Sequence, residues 1–400
     1  MLDVVETIRS YNAGRDPERL ALKYAAMRED PFVFLRGSCH LFYARLPSAR
    51  TLAKAPLTWV CGDLHLENMG SYKGDNRLVY FDLNDFDEAA LAPCTWELVR
   101  LLTSVHVAAH SLQISARQAD MLCKRFLCAY TGALRLGKAR WIEREIATGM
   151  VGELLHDLRE RSCPRFLERR TERKGKRRVI RLDGRHALPV TDTQRGKVTA
   201  LIDEMAAGEP HADFYRVIDV ARRIAGTGSL GVERYSILIE GKGSPNGNYL
   251  LDLKQAVPSS LAPHLDVRQP RWRNEAERVV SVQRRMQAIS PAFLHAVRMG
   301  RHSCVLRGLQ PVEDRVALNA WNGKLERLES VLETMGQLVA WSQLRSSGRQ
   351  GSATIDQLMA FSEKRRWPGR LCELARDCAK QVRGDWKIFA KACDQGAFHR

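Results

Sequence analysis

The chain has 400 residues, of which 44% are hydrophobic and 27% are charged, and its formal net charge is +17. This composition is typical of a folded globular protein and excludes an intrinsically disordered chain. No apolar run approaches the ~18 residues that a membrane-spanning helix needs, and the N-terminal residues lack the apolar core of a signal peptide. We therefore expect a cytoplasmic protein, without a membrane partner, that folds as two domains or two lobes.

The ten cysteines are dispersed along the chain without a Cys-x-x-Cys pair. This spacing predicts reduced and mostly buried thiols rather than a disulfide framework or a zinc site.

Much of the positive charge lies in a basic segment, residues 159–186. Such a block is able to contact nucleic acid or a polyanionic substrate. It has few aromatic side chains for base stacking, however, and glutamates are interleaved among its arginines. We therefore interpret it as a solvated helical face that ends in a loop, and nucleic-acid binding is the function that we expect least.

The first half of the chain is predicted to be mainly helical, with one β-rich interruption. Residues 1–55 have a helical pattern, although 32–46 fit either a strand or a buried helix. Residues 57–82 predict strand, polar loop, turn and strand. Helices follow from Cys94 to about 158, and a short helix is predicted near 193–206.

The second half begins with a β-rich region. Residues 214–256 predict strand, glycine turn, strand, hairpin and strand. A helix over 273–289, a short strand over 303–309 and helices from 324 onwards complete the pattern.

A glycine-rich loop, AGTGSLGV at 225–232, has the spacing G-x-G-x-x-G at Gly226, Gly228 and Gly231. The spacing alone fits a dinucleotide fold, a kinase-type phosphate loop or a simple turn. A dinucleotide-binding loop must open a helix, whereas Val232 here begins an alternating strand pattern. We therefore predict a loop between two antiparallel strands whose backbone, including Ser229, covers the phosphates of a nucleotide.

That prediction requires a lysine on the next strand, and Lys254 stands there in YLLDLKQA. A glutamate on the following helix commonly pairs with such a lysine. Glu277 is our first choice and Glu275 the second, although either is equally compatible with a surface position.

A catalytic loop is predicted from CGDLHLENMG, residues 61–70. Phosphoryl transfer needs a carboxylate that orients the attacking hydroxyl and metal ligands beside the phosphates. Asp63 and Asn68 have the D-x-x-x-x-N spacing of this pair, with Asp63 as base and Asn68 as a Mg²⁺ ligand. A second metal aspartate is expected after the strand LVYF; Asp82 is the first choice and Asp85 the alternative.

GDLHLEN and LVYFDLNDFDEA resemble the catalytic motifs of aminoglycoside phosphotransferases and other kinase-like enzymes. The chain also looks like an uncharacterised bacterial family usually grouped with that superfamily. This second resemblance rests on FLRGS, VCGDLHLENMGSY, LVYFDLNDFDEA, DVARRIAGTGSLGVERYSILIEG, LLDLKQAVPSS, ERVVSVQRRMQ and RGLQPVEDR. It implies that Asp63 is catalytic, that Asn68 and Asp82 bind metal, and that Lys254 and the Gly226 loop bind ATP.

Two departures from the kinase pattern stand out. Cys61 replaces the histidine found two residues before the catalytic aspartate, so Asp63 must be braced differently. The catalytic loop also precedes the glycine loop. We therefore expect an α+β, two-lobed, protein-kinase-like fold that is circularly permuted. Its parts are a catalytic-loop half of the helical lobe with the basic segment over 1–210, a small antiparallel β-rich lobe over 211–318, and completing helices over 319–400.

The expected function is ATP- and Mg²⁺-dependent transfer of a phosphoryl group to a hydroxyl of a small molecule or, less expected, a protein. One alternative is nucleotidyl (AMP) transfer on the same fold. Another is a catalytically inactive nucleotide-binding regulatory protein. The acceptor and the oligomeric state do not follow from the sequence.

Overall fold

The structure, a computed structural model, describes residues 2–47, 52, 54–175, 177–311 and 314–398. The helices are α1 (Val4–Asn12), α2 (Pro17–Glu29), α3 (Pro31–Gly37), α4 (Cys39–Arg45), α5 (Thr95–Ala108), α6 (Ala116–Leu136), α7 (Gly149–Asp157), α8 (Cys163–Arg170), α9 (Asp192–Ala206), α10 (Glu275–Met286), α11 (Leu325–Arg345), α12 (Ile355–Ser362) and α13 (Trp367–Asp394). The strands are β1 (Leu57–Val60), β2 (Met69–Lys73), β3 (Val79–Leu83), β4 (Ala90–Pro93), β5 (Ile142–Glu143), β6 (Thr171–Lys174), β7 (Arg177–Ile180), β8 (Ala187–Leu188), β9 (Val217–Arg223), β10 (Arg234–Ile239), β11 (Tyr249–Gln255), β12 (His295–Met299) and β13 (His302–Leu309).

The chain is a mixed α and β protein, which confirms the coarse prediction of fold class. Its largest sheet is antiparallel, in the order β12-β13-β11-β10-β9-β8. Strands β2, β3 and β5 form a smaller sheet, and β1 pairs with β4. Residues 32–46, which the sequence left as strand or helix, are helical in α3 and α4.

The large sheet has two faces of different chemistry, because side chains alternate along each strand. Tyr235, Ile237 and Ile239 of β10 pack on one face against α9. On the other face Leu238 and Leu250 are apolar. At the opposite end of that second face the residues become charged, with Arg234, Asp252 and Lys254 on β10 and β11 and Arg307 across from Asp252 on β13.

Helix α9 and the basic segment both pack around this sheet. Val198 and Ile202 of α9 belong to the apolar cluster of the sheet. Leu167 of the basic segment joins the cluster on the opposite face. The core of the sheet therefore includes residues that precede the boundary predicted at residue 210.

The basic segment contains a helix and ends in a loop over residues 181–186, as predicted, but a hairpin that was not predicted lies between them. It contains α8 followed by a hairpin of β6 and β7. Arg178 of this hairpin is fully buried and donates to the Thr171 hydroxyl at 3.2 Å and to the Pro245 carbonyl. At least this arginine has a structural role, because a buried guanidinium needs fixed oxygen partners.

The helical core places α5 beside the predicted catalytic loop, residues 61–70. Helix α5 is buried at every position except Trp96. Its neighbour α6 starts with a capping box at Ser115 and ends at Gly137, whose φ of 61° favours glycine. Helix α10 contacts both the sheet and α11, so it joins the β-rich and helical parts.

Two helix glycines provide a test of the packing between α6 and α11. A Cβ on Gly336 of α11 would collide with the Phe126 carbonyl and lie 3.1 Å from the Tyr130 amide nitrogen, whereas nothing lies within 4 Å of a Cβ on Gly132 of α6. We expect Gly336→Ala to lower the free energy of unfolding by about 2 kcal/mol. Gly132→Ala is the control and should raise it by up to about 1 kcal/mol. Urea unfolding measures both, and equal effects would contradict this packing.

Candidate functional site

The loop after β1, residues 61–68, is held in place by side chains that bind its backbone groups. The Cys61 amide donates to Glu97 Oε2 at 3.0 Å, and Tyr43 donates its hydroxyl proton to the Gly62 carbonyl. Gly62 has a φ of 85°, and a Cβ there would collide with the Glu88 carbonyl. Glycine is therefore required at this position.

Asp63 is held by a buried arginine. Arg100 Nε of α5 donates to Asp63 Oδ1 at 2.7 Å, and Nη2 contacts the same oxygen. Arg100 Nη2 also donates to the Leu35 carbonyl at 2.9 Å, and the Arg100 side chain is fully buried. Burial opposes the charge on Arg100, but Asp63 prevails and raises the pKa of the guanidinium. This pair braces Asp63 through an interaction in which Cys61, two residues earlier, takes no part.

Asn68 connects the predicted catalytic loop to the loop after β3, residues 84–89, which we call the acidic loop. Its Nδ2 donates to the Asp63 carbonyl at 2.8 Å and to the Asp85 carbonyl at 3.3 Å. Its Oδ1 accepts from the Asp85 amide at 2.9 Å. One amide side chain thus fixes the spacing between Asp63 and Asp85.

Asp82 has a different environment from Asp85. It is buried, forms an ion pair with Arg345 Nη2 at 3.0 Å and accepts from the Ala288 amide at 3.0 Å. Asp82 is not among the described residues that line the cavity, whereas Asp85 and Asp87 are. The first choice of metal aspartate therefore ties α10 and α11 to β3, and the alternative, Asp85, faces the cavity.

Lys254 pairs with the acidic loop. Its Nζ contacts Asp87 Oδ2 and lies 3.9 Å from Asp85 Oδ1. Burial acts to raise the pKa of Asp85, but Lys254 outweighs it and lowers this pKa. Burial and then the neighbouring Asp85 charge raise the pKa of Asp87. Asp85 is therefore the more firmly ionised of the two carboxylates.

Glu277 does not approach Lys254 in the contacts of the described residues. Its carboxylate accepts from the Arg273 amide at 2.7 Å, at the start of α10. The same helix instead reaches the acidic loop through Arg278, which donates to the Asp87 carbonyl at 2.9 Å and to the Ala89 carbonyl at 2.6 Å. An arginine that binds the backbone thus couples α10 to the site.

The glycine-rich loop connects β9 to β10, as predicted. Gly226 and Gly231 have φ values of 72° and 87°, which favour glycine. A Cβ on Gly228 would lie 3.2 Å from the Arg36 carbonyl and 3.9 Å from Asp63 Oδ2. The loop is therefore closed directly over the catalytic loop.

These elements enclose one cavity of about 390 Å³. Most of the predicted site residues line it, namely Asp63, Asn68, Asp85, Gly226, Gly228, Ser229 and Lys254. Asp82, Gly231 and Glu277 are not among the described lining residues. Elements far apart in the chain thus meet at one site.

The charged end of the sheet forms the roof of this cavity. Asp252 is buried and accepts from Arg234 Nε at 2.8 Å and Nη2 at 2.6 Å. Arg223 and Arg307 lie 2.6 Å and 3.3 Å from the same carboxylate. Burial acts to raise the pKa of Asp252, but these arginines prevail and lower it well below its usual range. The sequence reasoning missed this cluster, whose only signal was charge at alternate positions of predicted strands.

Glu67 was also without a predicted role. Its Oε2 accepts from Arg36 at 2.6 Å and from Arg315 at 3.1 Å. Both arginines line the cavity, so Glu67 holds two cations beside the catalytic loop. His65 is buried beneath it and accepts from the Glu67 amide at 3.1 Å. Burial lowers the pKa of His65, so this ring is neutral and braces the loop.

Among the described residues, no group of three or more His, Cys, Asp or Glu side chains is arranged to hold a metal ion. No helix in the described ranges is long and apolar enough to cross a membrane. Eight of the ten cysteines are buried, as predicted.

Comparison with known families shows to which family the chain belongs. The sequence model of a bacterial family described as "Uncharacterized protein conserved in bacteria (DUF2252)" matches residues 15–392. The chain belongs to the DUF2252 family. Comparisons with curated proteins and with solved structures found no match. The DUF2252 match covers the glycine loop, the predicted catalytic loop and the acidic loop together, so every described residue that lines the cavity, apart from Tyr11, lies within the matched range.

Glu97 gives the site a dependence of stability on pH. It is fully buried on α5 and accepts from Gln343 Nε2 at 2.7 Å as well as from Cys61. Burial raises its pKa to about 7. The folded protein therefore keeps the Glu97 proton at pH values where the unfolded chain has released it.

We expect this difference to lower the free energy of unfolding as the pH rises from 4.5 to about 7. Below this window both states hold the proton, and above it neither does, so the loss is confined to the window. Glu97→Gln does not titrate and should lack this component, which is on the order of 3 kcal/mol. Urea unfolding of both proteins across the window measures the difference, and parallel pH profiles would show that Glu97 does not titrate abnormally.

Proposed function

We propose that this DUF2252 protein is a kinase-like phosphotransferase that moves the terminal phosphoryl group of ATP to a hydroxyl group. The observation that carries the proposal is the single cavity lined by Asp63, Asn68, Asp85, Lys254 and the 226–229 part of the glycine loop. Phosphoryl transfer depends on positioning and electrostatics, and these residue types are the ones that it needs side by side.

The order of elements in the β-rich part supports a kinase-like arrangement. The glycine loop joins two antiparallel strands, β9 and β10, and Lys254 lies on the next strand, β11. Helix α10 follows and contacts the sheet. A glycine loop, a lysine on the third strand and a following helix are the parts by which protein kinases hold ATP phosphates.

The connectivity supports a circularly permuted version of that arrangement. Helix α11, near the C-terminal end, contacts β3 through Arg345, which donates to Asp82. Its Gln343 donates to Glu97 of α5, the same carboxylate that accepts from the Cys61 amide. The N-terminal and C-terminal segments also lie together, since Arg9 Nε donates to the Ala397 carbonyl at 3.1 Å. Such proximity makes permuted connectivity physically accessible.

Each side chain then has a definite role. Asp63 Oδ1 is occupied by Arg100, and its second oxygen faces the cavity near Gly228, where it is able to orient an acceptor hydroxyl and take its proton. Lys254 binds phosphate oxygens once it leaves Asp87. Several arginines line the cavity, and their positive charge favours a polyanionic substrate.

The donor set also fits Mg²⁺. This ion is commonly bound by one or two carboxylates together with substrate phosphates and water, so a cage made only of protein is not required. Asp85 lines the cavity and has a lowered pKa, and the oxygen of Asn68 lies against its backbone. Asp85 and Asn68 would hold the ion, which when bound neutralises charge on the phosphates.

Asp63→Asn tests the proposal most directly. Asparagine keeps an oxygen for Arg100, whereas alanine would leave a buried guanidinium unpaired at a cost of about 3–5 kcal/mol. We expect Asp63→Asn to stay folded and bind ATP but to lose about 10²–10⁴-fold in turnover. The measurement is ATP consumption with Mg²⁺ over a panel of hydroxyl compounds. Unchanged turnover would rule out Asp63 as the base.

The product of that reaction separates the alternatives. Mass spectrometry distinguishes an added phosphate from an AMP adduct, which would indicate nucleotidyl transfer. Tight ATP binding without turnover over the whole panel would instead support a nucleotide-binding regulatory protein.

A second prediction compares two aspartates of the same loop. We expect Asp85→Asn to raise the Mg²⁺ concentration that half-saturates ATP binding by at least about tenfold. Asp82→Asn breaks the ion pair with Arg345 and should reduce thermal stability while leaving the Mg²⁺ requirement unchanged. Titration of Mg²⁺ at fixed ATP measures both variants. The reverse result would make Asp82 the metal ligand, as the sequence pattern first suggested.

A further inference from the structure

The turn between α1 and α2 lies against the glycine loop. Arg15 Nη1 donates to the Gly228 carbonyl at 3.0 Å and to the Leu230 carbonyl at 3.3 Å. The Asp16 amide donates to the Gly231 carbonyl at 2.9 Å. Three backbone carbonyls of the loop, those of Gly228, Leu230 and Gly231, therefore accept hydrogen bonds from one N-terminal segment, residues 12–23.

Lys23 provides the most unusual contact of this segment. Its side chain is fully buried, and its Nζ donates to the Gly228 carbonyl at 3.1 Å and to Asn12 Oδ1 at 3.0 Å. Both partners are neutral oxygens. Among the residues that the structure describes, no carboxylate forms an ion pair with Lys23. Burial, followed by repulsion from Arg15, lowers the pKa of its ammonium group well below the usual value.

The carboxylates of Asp63 and Glu88 act to raise the pKa of Lys23, but they do not offset the cost of burying its ammonium group. Burial of a charge without a counter-charge is unfavourable by several kcal/mol in a medium of low dielectric constant. The same low dielectric constant strengthens attraction to an anion that enters the cavity beneath Gly228. The phosphates of a nucleotide covered by the glycine loop would supply this counter-charge, separated from Lys23 by one backbone carbonyl.

We propose that Lys23 is a positioning residue of the nucleotide site, which holds the Gly228 carbonyl and favours a polyphosphate beneath the loop. This inference rests on the proposed ATP site. It makes the N-terminal helices part of that site, because Lys23 and Arg15 hold the loop by its backbone carbonyls.

Lys23→Met tests this inference, since methionine keeps much of the side-chain volume without the charge. Arg28→Met is the matched control on the same helix, because Arg28 is exposed and contacts Glu29 and Asp394 rather than the loop. We expect Lys23→Met to weaken Mg-ATP binding by about tenfold and AMP binding by less, because AMP carries fewer charges. Arg28→Met should bind both nucleotides within about twofold of the wild type. Isothermal titration calorimetry measures the four affinities.

Amide hydrogen exchange without nucleotide gives a separate readout. Exchange of the 226–231 amides should be faster in Lys23→Met than in wild type and Arg28→Met, with melting temperatures unchanged or higher in Lys23→Met. Should Lys23→Met fail to fold, Arg15→Gln removes a milder contact to the same carbonyl and is expected to have the same effects at smaller size.

The outcomes separate the two proposals. Wild-type protein that binds no ATP would overturn the ATP site, and the exchange data would then still show whether Lys23 holds the loop. ATP affinity and loop exchange that both equal those of the wild type would overturn the role of Lys23. An equal loss for ATP and AMP would show a purely structural contact and would also contradict the inference.

Discussion

The ion pair between Arg100 and Asp63 is the interaction on which the site depends. Arg100 lies in a helix with almost no exposed residues, and a guanidinium in that place needs a carboxylate. Asp63 satisfies this need with one oxygen and presents the other to the cavity. The same guanidinium binds the Leu35 carbonyl, so the N-terminal helices are joined to the catalytic loop through one buried charge.

Local spacing made part of this site predictable. Asp63 and Asn68 lie in one short loop, so their separation of five positions already brings the Asn68 amide to the Asp63 carbonyl. The glycine loop and Lys254 were predictable for a similar reason, because a hairpin with period-two alternation sets which strand follows the loop and which face a residue takes. The mixed α and β class follows from the same periodicities.

Long-range partners made the rest unpredictable. Asp82 ends a strand, as a metal ligand would, but its side chain meets Arg345 from a helix 263 positions away. Glu277 stands at the expected place on α10, yet the helix contacts the site through Arg278 and Lys254 finds Asp87 instead. The choice between neighbouring acids depends on which strand face turns inward, and that direction is set by packing between segments that no local pattern relates.

The charges around the cavity are already paired with one another, and this constrains how the proposed nucleotide would enter. Lys254 is held by Asp87, and the roof arginines are held by Asp252. A phosphate that binds Lys254 must therefore displace a carboxylate. Asp87 suits that exchange, since burial raises its pKa and eases its neutralisation, while the lowered pKa of Asp85 keeps a negative charge available for a cation. In the proposed site, Asp87 would therefore release Lys254 to the phosphate, and Asp85, two positions earlier, would remain ionised.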